Sequence, residues 1–586
     1  MMCLVKFFVF GLEVMVYLLA GAMESLCLDG LWDFRFEKDR TLEDVAKTSA
    51  FKANDKMIVP GCWASMSRYY NLQGTGLYRT TVDLKGDVVN AFVVIEGFGL
   101  RAKVFVDSRD VGTSVQPWST VEFATGPLKA GKHEIVIAVD SISNKGKVKM
   151  FHDYYDFYPF GGLYQGVSLM LQKSPVALRD VFVRTRDYKT GLVELEAVFE
   201  GKDAPENFTA SVSFDALAAQ KVEFTSRRAK VNVPAFRLWS HNEPNLHTLT
   251  VQVPDADAAV TERFGIRQVG TANGRITLNG KSVYIKGVNR HESHYSYGAT
   301  SPVQQMYEDI TLVKDLGGNF IRGSHYPQCR KFLSLCDELG ILVWEESLGW
   351  GNNPSQFKDP KFCDLQIEAA RMMVRRSINH PSVIISGFLN EPQSEYESCK
   401  VLIDKLIDTI RAEDSGHLVT FAANRNGSDI CHEKTDIISY NTYPGWYGYI
   451  PGSGSQEEMR SSIRRCHADV VKYYRGKYKD NRPILCSESG VKADYGVRDP
   501  RGKAQMTEDF QAEYTRLMLE EVFANKDLAG IAIWQMTDAK TYTRRTSGIT
   551  VRSYGVNTGG LFDLYRRPKL SAEAAREVFT SKSEED

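Results

Sequence analysis

The 586-residue chain is 43% hydrophobic and 25% charged, with a net charge of −1 at pH 7. That profile fits a globular protein of about two to four domains. Its balanced charge gives no basis for nucleic acid or a charged membrane surface as a partner.

The 10 cysteines show no C-x-x-C pair and no metal-like spacing, so buried free thiols are expected rather than a disulfide framework. Aromatic residues make up 11%, enough for a stacking pocket that takes sugars or other flat ligands, although most of them belong to cores.

Met1 to Ala22 carries Lys6, a mostly apolar run from Phe7 to Leu19 interrupted by Glu13, and then Ala20-Gly21-Ala22. This is the pattern of a secretory signal with a small-x-small cleavage site. Export to a periplasm or the exterior is expected if it acts as one, and a cytoplasmic location otherwise. No later run is apolar for long enough to span a bilayer.

Residues 27–173 carry short β runs broken by turns, such as Leu31–Phe36, Tyr78–Leu84, Ala91–Ile95 and His133–Val139. Strands at this spacing without helices between them predict a β-sandwich. A second β segment, 174–269, has the length of an immunoglobulin-like sandwich, with runs at Val193–Phe199, Ala210–Phe214 and His247–Val251.

From 270 to 586 the pattern changes to β runs alternating with amphipathic helices. Strands are predicted at Val283–Val288, Asn319–Arg322, Ile341–Trp344, from Ile384, Val419–Ala422, Ile437–Tyr440, Ile484–Cys486 and Gly530–Trp534. Helices are predicted at Pro302–Leu316, Arg330–Gly340, Gln366–Ile378, Glu395–Glu413, Arg460–Tyr474 and Thr507–Ala524. About eight β/α units predict a (β/α)8 TIM barrel.

A barrel carries its chemistry on the loops that follow its strands. The predicted strand ends supply Asn289-Arg290-His291-Glu292, then Arg322 with Ser324, His325 and Tyr326, then Glu345-Glu346. They continue with Asn390-Glu391, with Tyr443, Trp446 and Tyr447, with Ser487-Glu488-Ser489, and with Trp534.

Glu391 and Glu488 are the best pair of carboxyls to face each other across a substrate. A separation of roughly 5 Å between two such groups defines a retaining glycosidase, one group acting as nucleophile and the other as acid/base. Glu345, Glu346 and Glu488 can equally serve as ion-pair partners of Arg290 and Arg322. His291-Glu292-Ser293-His294 lacks the i, i+4 spacing of a zinc helix. Asn207-Phe208-Thr209 and Asn426-Gly427-Ser428 fit glycosylation sequons.

Several motifs resemble glycoside hydrolase family 2, the family of β-galactosidases, β-glucuronidases and β-mannosidases. They are Gly287–Glu292, Arg322–Pro327, Asn379–Ile385, Asn390-Glu391-Pro392 and Ser487–Gly490. Leu238-Trp239-Ser240 through Leu246 and Phe264–Arg267 resemble that family's joint between its last two domains. The resemblance implies a jelly-roll sugar-binding-like domain, an immunoglobulin-like domain and a catalytic barrel.

It implies Glu391 as general acid/base, Asn390 on the sugar 2-hydroxyl and Glu488 as nucleophile, with Ser489 where an aromatic more often follows. It also implies His325, Tyr443, Tyr447 and Asn557 as pocket residues, Tyr443 donating to Glu488. Trp534 would be the pocket floor, and Asp156 an acid lent by the sandwich.

The family's β-glucuronidases carry Asn-x-Lys where this chain has Asn557-Thr558-Gly559. An exo-acting retaining β-galactosidase is therefore the first expectation. A β-uronidase, with Arg544, Arg545 or Arg552 as an alternative cation, comes second, and a non-catalytic carbohydrate-binding protein is a remote third. The ligands of the large β-galactosidases' magnesium site have no match here. No cofactor or obligatory metal is expected; a carbohydrate is the expected partner, and a homo-oligomer is compatible.

Overall fold

The computed structural model describes residues 23–143, 157–253, 258–446, 455–541 and 555–582. The expected leader, Asp156, Tyr447, Arg544, Arg545 and Arg552 lie outside the described residues.

The first unit is built from two antiparallel sheets. One has six strands in the spatial order Asp55–Val59, Gly30–Lys38, Gly74–Leu84, Gly131–Asp140, Arg101–Val106, Arg109–Ser114. The other runs Met23–Cys27, Val167–Gln172, Asn90–Ile95, Val121–Ala124. Alternating apolar residues of both sheets, including Phe34, Tyr78, Val104 and Ile137 with Val93, Ile95, Leu169 and Leu171, share one core.

A second sandwich pairs a three-stranded sheet (Ala177–Asp187, Leu192–Glu200, Arg228–Asn232) with a four-stranded one (Gln220–Phe224, Phe208–Phe214, His247–Val253, Ala258–Phe264). Its core includes Val181, Leu195, Val212, Phe214 and Leu249.

The third unit is a parallel barrel. Its strands are β1 (Ile285–Arg290), β2 (Phe320–Gly323), β3 (Leu342–Trp350), β4 (Val383–Asn390), β5 (Leu418–Thr420, resuming at Ala422–Ala423), β6 (Ile438–Asn441), β7 (Ile484–Ser489) and β8 (Leu528–Ile533). β8 pairs with β1, and the two halves of β5 pair with β4 and β6, so the ring closes across Phe421.

Helices α1 (Val303–Asp315), α2 (Arg330–Leu339), α3 (Pro360–Ser377), α4 (Glu397–Ala412), α5 (Gln456–Tyr478), α6 (Glu508–Ala524) and α7 (Leu570–Ser581) surround it. The β5–β6 connection has no helix. In α4, Cys399, Leu402, Ile403, Leu406, Ile407 and Ile410 recur at three- and four-residue spacing and form the buried face. α5 begins with a capping box between Ser455 and Glu458.

Three predicted strands differ from the structure, one of them Val419–Ala422, which is broken at Phe421. The run Val283–Val288 is divided: Lys281–Val283 belongs to a small antiparallel sheet with Val269–Ala272 and Arg275–Leu278, and the barrel strand starts at Ile285. One continuous apolar run thus serves two sheets, which periodicity alone does not separate. β3 does not end at Trp344 but runs on to Trp350, paired with β4 through Trp350↔Asn390. Glu345 and Glu346 therefore sit inside a strand rather than on the loop after it.

Gly387 marks the tightest approach in β4. A Cβ there would lie 2.0 Å from Trp344 Nε1. Gly387→Ala is expected to cost about 1–3 kcal/mol through overpacking, read as a lower urea midpoint with an unchanged m-value.

Candidate active site

Residues of β1, β3, β4 and β7 converge on one buried guanidinium of β2. Arg322 of β2 has no exposed surface. Its Nη1 donates to Glu488 Oε1 at 2.6 Å and to Asn289 Oδ1 at 2.8 Å. Its Nη2 donates to Asn390 Oδ1 at 2.9 Å, and its Nε to Glu346 Oε1 at 2.7 Å. The charge also sits 4.8 Å from the Trp344 ring centroid. The ion-pair role considered for Glu346 and Glu488 is thus real, whereas Glu345 pairs with Arg376 and Arg290 pairs with Asp309.

Glu488, on β7, is 3% exposed and accepts a second hydrogen bond from the Tyr443 hydroxyl at 2.7 Å on Oε2. Glu391, one residue beyond β4, is held differently. Asn441 Nδ2 donates to its Oε1 at 2.9 Å and Asn424 Nδ2 to its Oε2 at 3.0 Å. Asn441 Nδ2 also reaches Asn390 Oδ1 at 3.2 Å, so the two carboxyls are linked through Arg322, Asn390 and Asn441.

Leu389 and Glu391 have φ of 47° and 50°, left-handed values that cost about 1–2 kcal/mol each. Backbone bonds from Glu391 N–H to Ala422 O and from Gly351 N–H to Asn390 O, both 2.8 Å, hold this bend.

His325 stacks on Trp534 at 5.4 Å and 7° between planes. Its Nδ1 lies 3.2 Å from Glu346 Oε2, and its Nε2 lies 3.9 Å from Glu488 Oε1. Burial first, and the Arg322 charge second, push its pKa down to about 3, so the ring is neutral. Burial likewise raises the Glu346 carboxyl, against the pull of Arg322.

Trp534 follows β8 and is 5% exposed; its N–H donates to Ser489 O at 2.9 Å. A Cβ at Gly490 would lie 2.1 Å from Trp534 O, which explains Gly after Ser487-Glu488-Ser489. Asn557 is fully buried, and its Oδ1 accepts the Gly559 N–H at 3.3 Å. A Cβ at Gly559 would sit 3.4 Å from Trp534 Cδ1, so the residue in place of the expected Lys lies beside the Trp534 ring.

The first sandwich reaches this mouth. Phe157 packs on His291 and His325, Trp118 stacks on Tyr326 at 4.3 Å, and Gln165 Nε2 donates to Glu292 Oε2 at 2.7 Å. Asp156 and Tyr447 are outside the described residues.

The structure brings together Glu391, Glu488, Asn390, His325 and Tyr443, with Trp534 and Asn557 on the adjoining wall. The strand-end residues read from the sequence include Asn289 and Arg322, without a role for either at the site, and do not include Asn441 or Asn424. Asn289 is next to last in β1 and Asn441 is the last residue of β6, a readable strand-end signal. Asn424 follows the break in β5 and had no such signal. Asn426 is half-buried and donates to Asn441 O at 2.8 Å, so the second sequon belongs to the site wall. The described cysteines are all free. Among the described residues, no group of three or more His, Cys, Asp or Glu is placed to hold a metal ion, and no helix is long and apolar enough to cross a membrane.

In the unfolded chain His325 titrates near its ordinary value of 6.5, and in the fold near 3. The unfolded state therefore binds more protons between these values, and the contribution is lost as pH falls from 6.5 toward 3 at about 1.4 kcal/mol per pH unit. Between pH 7.5 and pH 5, His325→Gln is expected to lose about 2 kcal/mol less stability than the unaltered protein, measured by urea unfolding at both pH values.

The description "Glycosyl hydrolases family 2, TIM barrel domain" matches residues 269–582, and "Glycosyl hydrolases family 2" matches 176–267. Beta-glucuronidase of Chlorocebus aethiops is 30% identical over 446 residues, 73% of this chain and 65% of the relative. The Homo sapiens beta-glucuronidase is 29% identical over 449 residues, with 73% and 65% covered. The chain thus spans about two thirds of the length of these relatives.

A solved GH2 beta-galacturonidase from Eisenbergiella tayi bound to galacturonate superposes with a TM-score of 0.84 at 26% identity, covering 96% of this chain and 98% of that one. The Faecalibacterium prausnitzii beta-glucuronidase shares the fold, with a TM-score of 0.82, 22% identity and coverage of 96% and 98%. With the family's barrel description matched over more than half of its length, the chain belongs to family 2 of the glycosyl hydrolases.

Proposed function

We propose that the protein is a retaining exo-β-glycosidase that removes a terminal β-linked uronic acid. The observation that carries the reading is the unequal hold on two carboxyls at one barrel mouth. Glu488 faces a fixed guanidinium and a phenol, while Glu391 is oriented by the side-chain amides of Asn441 and Asn424.

Glu488 attacks the anomeric carbon as the glycosidic C–O bond breaks, and Glu391 gives its proton to the leaving oxygen. Glu391 then takes a proton from water, which attacks the same carbon and frees both the sugar and the Glu488 carboxylate. In this reading Asn390, which accepts from Arg322, takes the sugar 2-hydroxyl, and the stacked Trp534 and His325 give a flat wall for the ring.

A neutral β-galactoside was the first expectation from the sequence, because Gly559 replaces a lysine. The relatives favour the uronide instead: those named above are beta-glucuronidases and a beta-galacturonidase bound to galacturonate.

Nitrophenyl β-glucuronide, β-galacturonide and β-galactoside, assayed side by side, separate these readings; a higher kcat/KM for the galactoside defeats the uronide half of the proposal. Glu488→Gln is expected to abolish turnover. Glu391→Gln is expected to lower kcat by about 10²–10⁴-fold on substrates with poor leaving groups, and by less on nitrophenyl glycosides that need little acid assistance. Full activity in either variant removes that residue from its role.

A further inference from the structure

The connection after β7 carries a cation with no visible counter-ion. Lys492 lies four residues beyond Glu488 and is 6% exposed, and its Nζ has no hydrogen-bond partner among the described residues. Other buried cations nearby are satisfied: Lys569 by Asp538 and two carbonyls, Arg322 by Glu346 and Glu488. Lys540 lies over Tyr70 and Tyr158 and donates to Ala64 O.

A second orphan donor accompanies Lys492. The side-chain Nε2 of Gln505 is also buried without an acceptor among the described residues. Ala493 and Met506 form a parallel bridge, with Asp494 N–H donating to Met506 O at 3.1 Å. Lys492 and Gln505 each precede a bridged residue, so their backbones lie on neighbouring segments. The same segment is tied to the pocket wall, because Ala493 N–H donates to Thr558 O at 3.1 Å, between Asn557 and Gly559.

Two N–H donors on neighbouring segments, one of them charged and neither with an acceptor among the described residues, fit an incoming carboxylate, whose two oxygens can accept from both. Burying an ammonium without an anion is strongly unfavourable, so an orphan ammonium in a pocket wall suits a ligand that brings the anion with it. We propose that Lys492 and Gln505 bind the carboxylate of a β-uronide substrate, an assignment that rests on the uronidase reading above. A neutral hexoside presents a hydroxymethyl group at that carbon and leaves the ammonium unpaired, so the pair discriminates by charge.

The test uses the full chain, with Lys492→Met, Lys492→Gln, Lys492→Arg and Gln505→Leu beside the unaltered protein. kcat/KM is measured on nitrophenyl β-glucuronide and β-galacturonide and on the matching β-glucoside and β-galactoside. In Lys492→Met the uronide-to-hexoside ratio is expected to fall by at least about 30-fold, the scale for truncating one partner of a buried charge pair. Gln505→Leu is expected to lower it by about 3- to 10-fold. Without ligand, Lys492→Met is expected to melt no lower than the unaltered protein, and free glucuronate and galacturonate should no longer raise its melting temperature.

A uronide preference in the unaltered protein that persists in Lys492→Met overturns the Lys492 assignment and leaves the uronidase reading standing. A hexoside preference in the unaltered protein defeats the uronidase reading itself, and the assignment falls with it. Should Lys492→Met fail to fold, unchanged ratios in Lys492→Gln and Gln505→Leu overturn the assignment, Lys492→Arg being expected to keep most of the uronide preference because it keeps the charge.

Discussion

The barrel mouth depends on the burial of Arg322. A guanidinium removed from water must spend its donors on fixed acceptors, and the planar fork of Arg sets where those acceptors stand. Here they are Glu346 from β3, Glu488 from β7, Asn289 from β1 and Asn390 from β4. Four strands are thereby locked in relative position at the depth where the candidate chemistry takes place. Without the guanidinium, the Glu346 and Glu488 carboxyls would be buried facing a neutral cavity. Trp344 completes the cradle from below, and Gly387 makes room for that ring.

Much of this was legible in the sequence because each unit has its own period. Strands of alternating polarity without helices marked the two sandwiches, and helices such as α4, with apolar residues at three- and four-residue spacing, marked the barrel. Glu391 and Glu488 were readable as polar residues that abruptly end apolar runs. What escaped was the second layer. Arg322 was visible as a strand-end residue, but its several partners come from strands that only the closed ring brings together. Asn424 could not be found, because the break at Phe421 leaves no mark in the apolar run from Val419 to Ala423. The extension of β3 through Glu345 and Glu346 was hidden because buried, paired carboxyls read in a sequence like solvent-facing ones.

The first sandwich is part of the pocket rather than a remote module. Gln165 reaches across to Glu292, whose carboxyl also accepts the Cys329 N–H at 2.7 Å, and Trp118 covers Tyr326. Phe157 then closes against His291 and His325. Burial holds both imidazole rings neutral. The low dielectric that makes these contacts strong therefore comes in part from a different domain.

The break in β5 has a consequence of its own. A continuous fifth strand would spend the Ala422 carbonyl on the sheet ladder; with the ladder interrupted at Phe421, that oxygen takes the Glu391 amide instead. The proton donor proposed for the reaction is thus fastened to the same joint that closes the cylinder. Any breathing of the cylinder at that joint would loosen the aim of this carboxyl before it disturbed Glu488, which is held from β2 and from the turn after β6. The two carboxyls would then differ in mechanical stiffness as well as in charge environment.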